Sequence, residues 1–378
     1  MTSPPKYAKL HLYWTYCLRV MVLSHGYYRA DAPQPRVLGA SHGMPTTQLS
    51  TRKEDGIMIR RLRSMWGVLL MTVSACLGFP SGASAIFESS IGLVIDAGDP
   101  VLIKMGEELV HLVEAPQVGL LVKPTMGPVA NVRRILSREN VGMGIVPSDI
   151  LWYTNRDPDP TLRRAAKRLR FVMALGTKEV HLLARQDIHR FADLAGKRVI
   201  VGKSTSGIWV TSHNLLHLMG VKPAEEIELP PAEAISAVLQ DKADAAFIID
   251  AAPSALIAHM LTLKDDPRFA TLPEQVHLLP LTEPQMLQRY LKTTVHYAGF
   301  AEAVETIAIR PTLVSYNFTG RSTPYYRSRC RALSKIGATI RNRLTELQQS
   351  GHPRWQQANW MLDAGLWQKD PCVYRLAR

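Results

Sequence analysis

The chain has 378 residues, a formal net charge of +13 and four cysteines. Its first 85 residues hold ten Lys or Arg against three Asp or Glu, and the remainder from Ile86 holds 35 against 29. A surplus that mild, with no basic cluster interleaved with aromatics, argues against nucleic acid and leaves a small anion as the better partner.

The N-terminal part has the marks of processing rather than folding. From Met58 the chain reads MIRRLRSMWGVLLMTVSACLGFPSGASA: a basic start at Arg60, Arg61 and Arg63, an apolar stretch from Met65 to Leu77, then small residues ending Ala83-Ser84-Ala85. This is the layout of a secretory signal peptide over 58–85, and its apolar part is short for a membrane span. A fused internal hydrophobic helix is the alternative. Residues 1–57 show no sustained period, so they are expected to be a non-native or unfolded extension, with translation starting at Met58. Ala83-Ser84-Ala85 suits ordinary cleavage, whereas Val73-Ser74-Ala75-Cys76 would leave a lipid-anchored Cys76. Either route exports the chain to the periplasm. Of the cysteines, only Cys330 and Cys372 lie beyond this signal; an oxidising compartment would allow them to pair, and nothing local brings them together.

The exported part exceeds what one hydrophobic core usually serves, so two lobes are expected. Ile91 to Ala97 has a buried-strand pattern, followed by Gly98-Asp99-Pro100 and a helical face through Val101, Leu102, Met105 and Leu109. Val118 to Val122 is a second strand. It breaks at Lys123 to Pro128 and enters a helix at Val129, with Pro128 at the first helical position, where its missing N–H costs nothing. Val141 to Val146 is a third strand, and Asp149 after it is placed to lead a helix. Leu169 to Leu175 and Val180 to Ala184 are further strands, and Ile188 to Gly196 is a short helix. After Val199 come a weak strand at Ile227 to Leu229, a helix from Ala232 to Leu239, a strand from Ala245 to Ile249 and a helix from Ser254 to Leu263. Strands at Val276 to Leu279 and Glu305 to Tyr316 precede a long helical period from Tyr325 to Gln349 and a tail with Trp355, Trp360 and Trp367. This rhythm predicts an α/β fold with parallel sheets covered on both faces and ligands at the carboxyl ends of strands.

One stretch concentrates the chemistry. In VIVGKSTSGIWVTSHNLL, Val199 to Leu216, an apolar run passes through Gly202, Ser204, Thr205, Ser206 and Gly207 into helical spacing. A helix N-terminus there would aim unpaired N–H groups at an anion, most simply a carboxylate. The spacing excludes a P-loop, because Lys197 stands where its first glycine belongs, and excludes a nucleophile elbow, because Ser206 replaces the last glycine of G-x-S-x-G. His213 and His217 lie four apart, yet no Glu follows the first and no third ligand is evident, so packing or surface roles are expected in place of a metal site. No cofactor motif is present.

Taken in order, VGLLVKPTMGPVANVRRIL, NVGMGIVPSDI, VHLLARQDIHRFADLAGKRVIVGKSTSGIWVTSHNLL and ADAAFIIDAAPSALI resemble the solute receptors of TRAP transporters, specifically the TAXI family. The resemblance spans about residues 91–318. It implies a two-lobe periplasmic-binding-protein-like fold of type II with a hinged interlobe cleft: a first lobe from 86–183, a second from 184–304, and a return over 305–378 that ends in a C-terminal helical extension. It further implies a monomer without enzymatic activity that closes on a small organic anion, carboxylate or amino acid, and hands it to TRAP-type permease subunits in the membrane. Carried over by position, the ligand-binding candidates are Thr125, Met126 and Gly127, with Val129 and Asn131; Ser148 and Asp149; Ser204, Thr205, Ser206 and Gly207; and Asp250 with Ala251. Trp209, one turn into the helix, is placed to cover the ligand. Where family members carry an aromatic pair after the first strand, this chain has Gly98-Asp99-Pro100; Asp99 is there to meet a ligand ammonium or to cap the helix. Asp149 has the same two readings, and Trp152 and Tyr153 either line the cleft or pack. Lys123, Arg133 and Lys203 are candidate countercharges. The competing functions are a ligand sensor for a membrane partner and, from a different class, an enzyme on a similar scaffold, against which stands the lack of any readable nucleophile–base pair.

Overall fold

The computed structural model describes residues 90–374 apart from 115–117, 266–270, 272, 299, 301, 363–364 and 366. The expected extension, signal peptide and anchor cysteine Cys76 lie outside the described residues. Among the described residues no helix is long and apolar enough to cross a membrane.

The apolar runs become strands and each is followed by its helix. β1 (Ile91–Asp96) leads to α1 (Pro100–Val113), β2 (Leu120–Thr125) to α2 (Pro128–Ser137), and β3 (Val141–Pro147) to α3 (Ile150–Arg156), α4 (Pro160–Ala166) and β4 (Leu169–Ala174). Next come β5 (Lys178–Arg185), β6 (Arg198–Ile200), α5 (Gly207–Met219), β7 (Glu225–Ile227), α6 (Pro231–Leu239), β8 (Ala245–Asp250) and α7 (Ala255–Thr262). β9 (Val276–Leu278), α8 (Pro284–Leu287), β10 (Leu291–Val295), β11 (Val304–Ile309), β12 (Pro311–Tyr316), α9 (Pro324–Ser350) and α10 (Pro371–Tyr374) complete the chain.

The strands form two sheets, one per lobe. The first has the order β2-β1-β3-β12-β4, and the second β10-β11-β5-β8-β6-β7 with β9 beside β5. The expectation of parallel sheets needs correction, because both are mixed. β1 runs parallel to β2 and β3, and β6 to β7 and β8. β12, however, re-enters the first sheet reversed between β3 and β4, and β5 is antiparallel to β8 and β11. The single strand expected over Glu305 to Tyr316 is also two strands in different sheets. Ile309 pairs with Lys178 in the second, and Pro311 with Pro147 in the first, so the chain changes sheets at Arg310. Proline, lacking an N–H, is tolerated at the first position of a strand, which is where Pro311 sits. The other passage, at Leu175 to Thr177, comes before β5, so β5 and β11 both belong to the second sheet and not to the first lobe.

Burial follows the period of two. In β5 and β8, Val180, Leu182, Ala245 and Phe247 pack in one apolar cluster, while Leu183, Ala246 and Ile248 pack in another on the opposite face. These central strands are covered on both sides. In the first lobe the core takes in the tail: Trp355, Trp360 and Trp367 are all buried among β-strand residues such as Phe171 and Met173. The indole N–H of Trp355 donates to Glu108 Oε2 at 2.6 Å. Phe171 N–H donates to Gln368 O, and Asp370 N–H to Phe171 O, both at 2.9 Å, so the tail covers the edge of β4 that would otherwise stand unpaired. A disulfide joins Cys330 of α9 to Cys372 of α10. The segment expected as a helical extension is thus part of the first lobe's core.

Candidate functional site

Between the carboxyl ends of β1, β2 and β3 and those of β6 and β8 lies a cavity of about 630 Å³. Helix starts from both lobes border it: Pro100 and Val101 of α1, Pro128 of α2, Gly207 and Ile208 of α5, and Pro231 of α6. The first N–H groups of a helix have no intrahelical acceptor, so these ends carry partial positive charge toward the hollow. Its walls are largely apolar, with Ile145, Val146, Ile248 and Ile309 prominent.

Among the expected site residues, Asp99, Thr125, Met126, Ser204, Ser206, Gly207 and Asp250 line this cavity. Several are already engaged. Thr125 donates its hydroxyl to Asn131 Oδ1 at 2.5 Å, and Asn131 donates to Ile145 O at 2.8 Å, a buried network that fixes the end of β2. Ser206 caps α5 by accepting from Trp209 N–H at 3.2 Å. Asp99 caps α1, one of its two expected roles, by accepting from Leu102 N–H at 3.1 Å, and it also forms an ion pair with Lys178. Asp250 stands 3.8 Å from Arg354 Nη2.

Gly127 and Thr205 meet across the hollow. Thr205 donates its hydroxyl to Met126 O at 2.7 Å, and Gly127 comes so close to the Thr205 carbonyl that a β-carbon would stand 2.2 Å from its oxygen. Thr205, at φ +66°, therefore acts as a latch to the first lobe and is not a cavity-lining residue.

Ser148, Asp149 and Trp209, like Gly127, do not line this cavity. Ser148 holds the passage between sheets: its N–H donates to Arg310 O at 2.9 Å and its Oγ accepts from Arg310 N–H at 3.1 Å. Trp209 stacks on His213 with ring centroids 3.9 Å apart and donates its indole N–H to Tyr153 OH at 3.2 Å. The histidines go separate ways, His213 to Glu226 at 3.1 Å and His217 to the edge of Trp152. The guanidinium groups of Arg156 and Arg289 each lie over the Trp152 ring, 4.6 Å from its centre.

Asp149 occupies the N-cap position of α3 without a side-chain cap bond. Its Oδ2 accepts instead from Asn214 Nδ2 at 2.9 Å and from Tyr290 OH at 3.1 Å, across the lobes. Its Oδ1 and the hydroxyl of Thr211 are both buried without a partner. Burial raises the carboxyl pKa above the usual 3.8, offset in part by Asn214 and by the hydroxyls of Thr211 and Tyr290. An acid whose folded pKa is raised favours the fold most at low pH, and that contribution is lost as pH climbs from the unfolded value through the folded one. Asp149→Asn keeps an acceptor for Asn214 and Tyr290 and adds a donor for Thr211. We expect it to stabilise the protein by about 1–2 kcal/mol at pH 7, with the gain vanishing below about pH 4. Thermal melts across that range check this, and a variant less stable than the parent at pH 7 would refute it.

Local sequence reasoning passed over Asp96, Lys178 and Arg354. Asp96 is the last residue of β1 and half-buried at the cavity wall; its Oδ1 accepts from Gly98 N–H at 2.9 Å. Burial raises its pKa, and the neighbouring Asp99 adds to the shift. An acid ending an apolar strand was the available signal. Of the candidate countercharges, Lys203 borders the cavity, Arg133 pairs with Asp159 at 2.8 Å, and Lys123 lies on β2 beside Gly92.

Comparison with curated proteins finds no match. Among solved structures, the periplasmic aliphatic sulphonate binding protein SsuA from Escherichia coli is 14% identical over 69% of this chain and 76% of its own, with a TM-score of 0.38. The GluR0 ligand-binding core from Nostoc punctiforme, in complex with L-glutamate, is 13% identical over 71% and 98%, with a TM-score of 0.37. A histidine kinase sensor domain with similarity to periplasmic binding proteins is 11% identical over 71% and 96%, with a TM-score of 0.40. Likeness at that level assigns nothing by itself. The model of the NMT1-like family, in contrast, matches residues 100–325, more than half of the sequence, and the chain belongs to that family.

Proposed function

We propose that the protein is an extracytoplasmic solute receptor of the TAXI type, exported by its N-terminal signal and acting as a monomer. In this reading it binds a small organic anion, carboxylate or amino acid, between its lobes and delivers it to a TRAP-type membrane permease. The observation that carries the reading is the cavity between two sheets, bordered by helix starts from both lobes. Among the described residues the chain passes between the two sheets at Leu175 to Thr177 and at Arg310, and two such passages suit a hinge, with β1 to β4 and β12 moving against β5 to β11.

The anionic end of the ligand lies against the Gly207 and Ile208 N–H groups beside Lys203, and an ammonium, where the ligand has one, meets Asp96. Each charge-assisted hydrogen bond contributes roughly 1.5–3 kcal/mol. Three or four, less the cost of ordering both partners, are enough for micromolar affinity near about −8 kcal/mol.

The test is a thermal-shift screen of carboxylates and amino acids followed by calorimetry on the hits. Lys203→Gln should weaken every anionic ligand roughly tenfold or more, whereas Asp96→Asn should weaken only those bearing an amine. A screen with no ligand-dependent shift, or a Lys203→Gln variant with unchanged affinity, would overturn the assignment.

A further inference from the structure

A second depression, of about 390 Å³, opens at the α3–α4 connection and shares no lining residue with the interlobe cavity. It is bordered by Asn155, Pro160, Arg163, Arg164 and Lys167. The stretch from Arg133 to Arg170 holds nine Lys or Arg against four Asp or Glu, most of the positive surplus found from Ile86 onward.

The nearby acids are turned to partners other than the rim cations. Asp157 accepts from Asp159 N–H at 2.9 Å, and Asp159 accepts from Thr161 N–H at 2.7 Å and pairs with Arg133 at 2.8 Å. Arg163, Arg164 and Lys167 take part in no ion pair among the described residues. The Arg163 guanidinium is nonetheless held in place, since its Nη1 donates to the carbonyls of Asp157 at 2.5 Å and Pro158 at 2.8 Å. Its remaining N–H groups are left for a ligand. Arg164 has only a 3.5 Å contact with Thr161 Oγ1. Cations crowded around a concavity repel one another, and an anion that several of them share relieves that repulsion.

We propose that this depression binds a phosphate ester. Guanidinium forks match the oxygens of a tetrahedral oxyanion, a lysine adds a mobile point charge, and the Asn155 amide supplies a further donor. A carboxylate would satisfy one guanidinium and leave the other cations unpaired. The volume exceeds what a bare phosphate fills and leaves room for an organic body on the group. That body is either a soluble metabolite or a phospholipid headgroup.

The test uses the full chain at about 0.15 M salt, where weak surface charge effects are screened. One arm titrates glycerol phosphate and inorganic pyrophosphate by calorimetry; the other sediments the protein with phosphatidylglycerol or phosphatidylcholine vesicles. Arg164→Gln with Lys167→Gln removes two exposed cations from the rim, and Arg331→Gln with Lys242→Gln removes two from elsewhere. Saturable one-to-one binding of a soluble phosphate supports the proposal with a metabolite as source. Retention by phosphatidylglycerol vesicles alone supports it with a lipid as source. In either arm the rim variant should lose at least roughly tenfold in affinity and the control less than about twofold. Binding in neither arm, or equal loss in both variants, would overturn it.

Discussion

Gly127→Ala is expected to weaken ligand binding about a hundredfold or more while costing the unliganded protein far less. Gly127 sits at φ +123° and ψ 173°, a region essentially closed to residues with a β-carbon, so any state that keeps this conformation bears roughly 1–3 kcal/mol of strain. The second cost is specific to closure. The added β-carbon would stand 2.2 Å from the Thr205 carbonyl oxygen and 2.9 Å from its carbon, and both are backbone atoms that no rotamer change can move. Relief requires the first lobe to back away from the α5 turn, which opens the cavity and removes the Thr205 to Met126 hydrogen bond. Calorimetry on the parent's ligand measures the affinity, and small-angle scattering of the unliganded variant should show a larger radius of gyration. Parental affinity in the variant would mean that this contact is no part of the bound state.

Loss of the Cys330–Cys372 bridge should be the largest single blow to stability. The two cysteines are 42 positions apart, and a loop of that length corresponds to roughly 4 kcal/mol of unfolded-chain entropy removed by the bond. The tail it tethers carries Trp355, Trp360 and Trp367 into the first lobe's core and covers the edge of β4. For a chain of this size the expected fall in Tm is on the order of 10 °C, for Cys330→Ala with Cys372→Ala or for the parent in reductant. The second lobe, whose sheet has no contact with the bridge through strand pairing, should keep its fold in the same melts. A Tm that ignores reductant would refute the tether.

Much of the fold was legible because its central strands are buried on both faces and read as unbroken apolar runs. β1, β3, β4, β5 and β8 were found this way, and Pro128 was rightly placed at the first position of α2. β10 was missed for the opposite reason: Lys292, Thr293 and Thr294 make it an edge strand whose only partner among the described residues is β11. The α5 turn was legible too, since Ser206 before an apolar helix is capping chemistry that needs only neighbours in sequence.

The sequence alone determined the alternation of strands and helices, the helix starts and the turn at Ser204 to Gly207, all of which depend on residues within a few positions of one another. Tertiary structure alone decided which polar groups are free at the cavity. Asp99 is drawn off by Lys178, 79 positions away, and Asp149 by Asn214 and Tyr290, while Asp96 is left facing the hollow. It also decided that one apolar run divides between two sheets at Arg310 and that the tryptophan-rich tail belongs to the core. Such pairings are settled by the balance of desolvation and contact in the folded chain, and that balance leaves no local pattern to read.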